Sequence, residues 1–406
     1  MTPSLLLETI GRAGRPIIIA GPCSAESEPQ VVETAKQLAA DGRVDLLRAG
    51  IWKPRTRPGR FEGAGAPGLR WLLRAKQETG LAVATEVAHP SHVEACLAHG
   101  VDALWIGART TVNPFSMQEL AEALRGSSVP VFVKNPVSPD VDLWLGALER
   151  LDEAGVTRLG AIFRGFKSVD AGPYHNAPMW DLAVELKTRV PGLPVLCDPS
   201  HICGSSALIP LVAQKACDLG FDGLMIESHI DPGAALSDAK QQLTPAEVRR
   251  LLDALIHRTP EGRAAASSGT LARLREDIDR LDDEIMRSIA ARMRVSERIG
   301  EYKRDNDVTI LQVARWGEIV RSRSVLGVAM GLDETFTRAL LRLLHRESIQ
   351  VQERIMNGQA GRQQPTPDQG SRPKAAGTRV GRRRSGRQRV ASRAGGGAST
   401  RNPGGR

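Results

Sequence analysis

No window of about 20 residues in this 406-residue chain is continuously apolar, which argues against a helix spanning a bilayer. The first residues show no signal-peptide pattern either, so neither a membrane nor export is expected. Cysteine is scarce: five residues, an odd count at irregular spacing with no Cys-x-x-Cys pair. That argues against a disulfide framework and fits a reducing cytoplasm. A basic folded body is also missing. The chain carries a net +9, but residues 362–406 hold twelve Lys/Arg against one acid, Asp368, so removing their +11 leaves the remainder at −2.

The charge therefore belongs to the tail. From 357 onward Gly, Arg, Pro, Ser, Gln and Ala dominate and aromatics vanish, a composition unable to build a core, so 356–406 reads as a disordered basic tail. The stretch GRRRSGRQR at 381–389 has cations for phosphate but no ring on which a base could stack. Nucleic-acid binding through this tail is the non-enzymatic alternative, and nucleic acid is not the expected partner.

What is present is alternation. Short, nearly continuous apolar runs occur at 16–22, 45–51, 82–88, 103–109, 130–135, 158–164, 193–198 and 223–228, separated by amphipathic segments. Such runs suit parallel strands buried on both faces. Eight alternations within residues 1–257 match an α/β (β/α)8 barrel better than a doubly wound sheet, which normally stops at five or six strands. Residues 258–269 read as a linker. In 270–355 the pattern changes: Leu271, Leu274, Ile278, Leu281, Ile285 and Ile289 recur at helical spacing, and two further helical stretches follow. This predicts a separate all-α module.

The chemistry-bearing residues sit at the strand ends. Cys23 follows the first run in GPCS, His201 the seventh in DPSH, Glu227 the eighth in IES, and Asp238 lies in the loop LSDAKQQ beyond it. A barrel makes its first, seventh and eighth strands neighbours, so these four can meet as metal ligands. A thiolate, an imidazole and two carboxylates suit Mn, Fe, Co or Zn better than Mg. Cys96, Cys197, Cys203 and Cys217 read as structural thiols. Arg48, Lys53, Arg55, Arg109, Lys134, Arg164 and Lys167 also fall at or just past strand ends, where cations gather to hold phosphates and carboxylates. The expected substrates are phosphorylated and anionic.

With IWKPRTRPG, LWIGARTT, VKNP, DPSHICG and LMIESH, residues 14–257 resemble the metal-dependent 3-deoxy-7-phosphoheptulonate (DAHP) synthases of the class I short-barrel type, in the form fused to a chorismate mutase. The resemblance implies condensation of phosphoenolpyruvate with erythrose 4-phosphate, opening the shikimate pathway. It implies metal ligation by Cys23, His201, Glu227 and Asp238. Arg48, Lys53, Arg109, Lys134 and Arg164 would hold phosphoenolpyruvate, and Arg55 and Thr56 the aldose phosphate. Lys53 is the expected proton donor, and Glu86 a supporting acid. The rival is the 3-deoxy-octulosonate 8-phosphate synthase family, which has Lys-Ala-Asn-Arg where this chain reads Lys53-Pro54-Arg55-Thr56.

In the helical module, Arg275 and Arg292 stand 17 residues apart, about 25 Å along one straight helix. They can share a small ligand only if one comes from a partner chain, so a homodimer or higher homo-oligomer is expected. The motifs LRxxIDxLDxxI, IGxYK and ESIxxQ over 270–355 resemble the all-helical chorismate mutases. That implies rearrangement of chorismate to prephenate, with Arg275, Arg292, Lys303, Arg315, Ser348 and Gln352 binding substrate and with Lys303 and Gln352 at the ether oxygen. Two positions depart from the pattern: Trp316 and Gln312 stand where the short bacterial enzymes have acids. A non-catalytic, dimerising or regulatory helix bundle is the alternative for this module.

Overall fold

The computed structural model describes residues 6, 15–53, 59, 61–258 and 268–358. Most of the expected linker, the tail from 359 on, and Arg55 and Thr56 lie outside the described residues. The chain divides into two units, residues 1–267 and 268–406.

The first unit is a closed barrel of eight strands in sequential order. They are β1 (Ile17–Gly21), β2 (Leu46–Arg48), β3 (Ala82–Val87), β4 (Ala103–Ile106), β5 (Val131–Lys134), β6 (Leu159–Phe163), β7 (Val195–Cys197) and β8 (Gly223–Glu227). Every neighbouring pair is parallel, and β1 closes on β8 with Gly21 opposite Glu227. The helices of this unit are α1 (Glu28–Ala39), α2 (Pro67–Thr79), α3 (Pro90–Ala98), α4 (Ala108–Thr111), α5 (Pro114–Leu124), α6 (Val141–Glu153), α7 (Trp180–Arg189), α8 (Pro199–Cys203), α9 (Ile209–Asp218) and α10 (Pro245–Ala254).

Alternation along each strand builds two cores. Ile17, Ile19, Leu46, Ala84, Trp105, Phe132, Ile162, Leu196 and Met225 fill the barrel interior together with Leu6, while Ile18, Ala20, Leu47, Val83 and Leu104 face the helices. Gly160 makes room for the inner layer: a Cβ there would stand 2.6 Å from Leu6 Cδ2 and 2.8 Å from Phe132 Cδ1. Truncating a filled position such as Phe132 to alanine would cost about 3–5 kcal/mol. Local signals set the helix starts. Ser27, Asn113 and Asp140 accept backbone N–H groups at α1, α5 and α6, and Thr244 with Glu247 forms a capping box at α10.

Among its described residues the second unit has three helices, α11 (Ser268–Asp305), α12 (Val313–Ala329) and α13 (Glu334–Met356). α11 and α13 come close at Gly300, where a Cβ would lie 3.2 Å from Gln352 Cα. Its interior is polar. Ser296, Lys303, Ser324, Thr337, Ser348 and Gln352 are buried, and among the described residues Val351 is the one buried hydrophobic side chain of the unit. The periodic stripe of α11 lies on the surface instead, with Leu274 and Ile278 each 57% exposed.

Candidate active site

The C-terminal strand ends deliver the first group of residues directly. Arg48 ends β2, Lys134 ends β5, Glu227 ends β8, and Glu86 is the penultimate residue of β3. Cys23 lies two residues beyond β1, Arg164 just beyond β6, and the one-turn helices α4 and α8 present Arg109 and His201. A glycine is required where β1 leaves the sheet. Gly21 has φ 147°, and a Cβ on it would stand 2.2 Å from the Arg48 carbonyl oxygen.

Ligand atoms of Cys23, Glu227 and Asp238 all lie within 4.8 Å of one another. His201 stands beside this trio, its Nε2 3.7 Å from Glu227 Oε1. Cys23 Sγ donates to Asp238 Oδ2 at 3.1 Å, and Lys53 Nζ donates to Cys23 Sγ at 2.9 Å and to its carbonyl at 3.0 Å. Burial, and then the Glu227 charge, push the Cys23 thiol up to about 12, so a cation would have to displace its proton to bind. Glu227 Oε2 accepts from Gln241 Nε2 at 2.7 Å, whereas Oε1 is buried without a hydrogen-bond partner among the described residues. A thiol, an imidazole and two carboxylates fit a divalent transition metal.

The Asp238 loop is tied to the Cys23 loop by residues that sequence reasoning left unassigned. Gln242 Oε1 accepts from the Cys23 N–H at 3.0 Å, Gln242 Nε2 donates to the Ser237 carbonyl at 2.9 Å, and the Ser24 and Ser237 hydroxyls pair. Asp238 itself adopts a left-handed backbone, φ 48°, a region aspartate enters more readily than most residues. Asp198 was also missed as a site residue, although DPSH contains it. Fully buried, it receives Lys134 Nζ at 2.8 Å, approaches His201 Nδ1 at 2.8 Å and accepts the His201 N–H at 3.0 Å. Burial alone would raise its pKa, but His201 and Lys134 hold the carboxyl well below the usual range.

Five of the seven expected cations line one cavity, of about 540 Å³. They are Lys53, Arg109, Lys134, Arg164 and Lys167, alongside Glu86, His201 and Asp238 and joined by His175 and Asn176 from the loop after β6. Arg48 is buried, 4.9 Å from the Trp105 ring and 3.2 Å from Glu227 Oε1, yet its Nε and one terminal nitrogen have no hydrogen-bond partner among the described residues. Arg164 donates to Asn176 Oδ1 at 3.2 Å. Burial pushes the pKa values of Lys134 and Arg164 down, as expected of cations held away from water. Glu86 Oε2 accepts from Trp105 Nε1 at 3.1 Å, and Gly107 leaves room for its other oxygen.

In the helical unit four of the six expected residues meet. Arg292 donates to the Leu344 carbonyl at 2.9 Å and to the Ser348 hydroxyl, Lys303 donates to Gln352 Oε1 at 3.0 Å, and Gln352 Nε2 donates to the Ser348 carbonyl at 3.1 Å. Arg275 is exposed on the first half of α11, and Arg315 pairs with Glu318 at 2.6 Å. Trp316 lies flat on His345, ring centroids 3.9 Å apart, and Gln312 precedes α12 without a side-chain cap.

A parallel eight-stranded barrel with titratable and cationic side chains gathered at its C-terminal mouth is the architecture of a barrel enzyme. Residues 7–261 match the model of the DAHP synthetase I family and residues 274–353 that of chorismate mutase type II. The chain belongs to the DAHP synthetase I family and carries a fused chorismate mutase type II domain. Phospho-2-dehydro-3-deoxyheptonate aldolase of Thermotoga maritima is 33% identical over 245 residues, covering 59% of this chain and 70% of that protein. The crystal structure of that aldolase aligns at a TM-score of 0.54 with 30% identity, over 59% of this chain and 68% of the other. A 2-dehydro-3-deoxyphosphooctonate aldolase of Nitratidesulfovibrio vulgaris is 30% identical over 250 residues, 56% of this chain and 85% of that protein. Among the described residues, no helix is long and apolar enough to cross a membrane.

Proposed function

We propose that the barrel, residues 1–257, condenses phosphoenolpyruvate with erythrose 4-phosphate and water to give DAHP and inorganic phosphate. The helical unit, residues 270–355, would convert chorismate to prephenate. The observation that carries the first reading is the gathering of Lys53, Arg109, Lys134 and Arg164 around one cavity, with Arg48 buried nearby and two of its guanidinium nitrogens without a partner among the described residues. Such groups are costly to leave unmade, and an anion in the mouth would satisfy them. Arg109, Lys134 and Arg164 hold the phosphate and carboxylate of phosphoenolpyruvate, with Arg48 beneath. Arg55 and Thr56 take the phosphate of the aldose.

Cys23, His201, Glu227 and Asp238 would hold the divalent ion, which supplies Lewis-acid polarisation of the aldehyde. C3 of phosphoenolpyruvate attacks that carbon, water adds at C2, and the phosphohemiketal expels phosphate into the cation cluster. Lys53 donates a proton to the former aldehyde oxygen, giving the new hydroxyl, and the water that adds at C2 releases one. The Lys53 pKa is raised: burial opposes the charge, but the acidic groups around it, Glu227 and Glu86 among them, favour it, so the ammonium is charged at neutral pH. The described cysteines are all free and buried, which fits a reducing cytoplasm as the site of action.

The octulosonate relatives make the five-carbon arabinose 5-phosphate the competing aldose. Loss of phosphoenolpyruvate is expected with erythrose 4-phosphate and not with arabinose 5-phosphate. It should fall to background in EDTA and return with Mn²⁺. Turnover with the five-carbon sugar alone would move the barrel to the octulosonate branch, and turnover unaffected by chelation would remove the metal.

For the helical unit, the exposed apolar stripe of α11 supports a homodimer that buries it and brings Arg275 of the partner subunit toward Arg292. The two guanidinium groups would clamp the carboxylates of chorismate, with Lys303 and Gln352 at the ether oxygen. Sedimentation showing only monomer, or folded protein inert toward chorismate, would leave the regulatory reading.

A further inference from the structure

Trp52 immediately precedes Lys53 and lies flat on the imidazole of His92, ring centroids 4.0 Å apart and planes within 1°. The partners come from different barrel units, Trp52 from the segment after β2 and His92 from the first turn of α3 after β3. His92 is oriented from behind: the Ala88 N–H donates to its Nδ1 at 3.3 Å, which places the proton of the neutral ring on Nε2. His89 meets it edge-on at 6.1 Å and is in turn held by Ser91. Burial, followed by the neighbouring His89, pushes the His92 pKa down, with Glu86 pulling the other way.

The backbone beneath Trp52 is held from the other side. The Lys53 N–H donates to the Glu62 carbonyl and the Gly65 N–H to the Ile51 carbonyl, both at 2.8 Å. Gly63, φ 96°, permits this approach, since a Cβ there would lie 2.2 Å from Ile51 O. Residues 51–53 are thus clamped through the main chain by 62–65 and through one side chain by His92. A lysine stem turns about four bonds and loses that freedom when its head is fixed, so an ammonium held on both Cys23 Sγ and Cys23 O needs an immobile anchor at its Cα.

We propose that the Trp52–His92 stack is a positioning device that fixes Lys53 at the Cys23 end of the site. The proposal rests on the reading in which Lys53 is the proton donor. The test compares His92→Ala, which removes the ring, His92→Asn, which keeps a polar group without one, and His92→Phe, which keeps a ring able to stack. Condensation kcat is expected to fall about 30- to 100-fold in His92→Ala and His92→Asn, the scale of a roughly 1 Å misplacement. His92→Phe should stay within about threefold of wild type, and KM for phosphoenolpyruvate should change little because Arg109, Lys134 and Arg164 are untouched.

Pulse labelling with acetic anhydride, mapped by peptide mass spectrometry, reads the same device without catalysis. Lys53 acetylation should rise several-fold in His92→Ala and not in His92→Phe, with Lys134 labelling constant in all variants. Unchanged Lys53 labelling in His92→Ala overturns the proposal. So does a His92→Phe variant as impaired as His92→Ala, or parallel rises at Lys53 and Lys134, which would mean general loosening. An inactive wild type would sink the functional reading alone, and the labelling would still decide the stack.

Discussion

Asp198→Asn is expected to lower condensation turnover by about 10²–10³-fold while chorismate turnover stays at the wild-type level. Asp198 is fully buried and has three partners on two oxygens: the Lys134 ammonium, the His201 ring and the His201 N–H. Asparagine keeps the shape but removes the charge, leaving Lys134 as a buried cation without its counter-ion, a change on the order of 3–5 kcal/mol. It also loses the carboxylate that orients His201, and such outer-shell changes weaken metal binding about 10–100-fold. Steady-state kinetics together with a Mn²⁺ titration of the variant would check both effects. Wild-type turnover and metal affinity in Asp198→Asn would show that this carboxylate organises neither group.

The same substitution has a signature in acid. The Asp198 carboxyl sits well below its ordinary 3.8 in the folded chain, so its contribution to stability is complete above that value. It is lost as pH falls through the lower folded pKa. The variant has no such contribution to lose, and its acid-unfolding curve below pH 3.8 should be correspondingly flatter.

Arg292→Leu should produce the opposite pattern, with chorismate turnover down about 10³-fold, the scale of removing an electrostatic donor, and condensation unchanged. Arg292 spans to the Leu344 carbonyl and the Ser348 hydroxyl, beside the Lys303–Gln352 pair. Burial lowers its pKa but leaves a guanidinium charged at any physiological pH. Arg292→Lys is expected to recover little, because an ammonium lacks the planar fork that grips a carboxylate. The disappearance of chorismate absorbance measures both variants. A loss smaller than about tenfold in Arg292→Leu would favour the regulatory reading of this unit.

The barrel was legible because a strand buried on both faces must be apolar throughout, and IIIAG or VFVK announces that directly. Cys23, Glu227 and the cations were legible for a related reason, since a polar residue that interrupts such a run at its end has one place to go. Asp198, Gln241, Gln242 and Asn176 were not. Each acts on a neighbour only after a loop folds back, and nothing periodic marks it beforehand. One-turn helices such as α4 and α8 are too short to show a repeat. In the helical unit the periodicity correctly predicted a long helix, while its apolar stripe, which such spacing normally directs inward, faces outward in a single chain. Arg55 and Thr56 remain expectations from sequence alone.

The polar interior of the helical unit has a thermodynamic corollary. With Val351 as its one buried hydrophobic side chain among the described residues, this unit has little apolar driving force of its own. If a second copy covers the α11 stripe, most of its folding energy is released at the encounter of two chains rather than within one. Its stability then becomes a colligative quantity, set by how many copies share a volume. The barrel, by contrast, encloses an apolar core of its own.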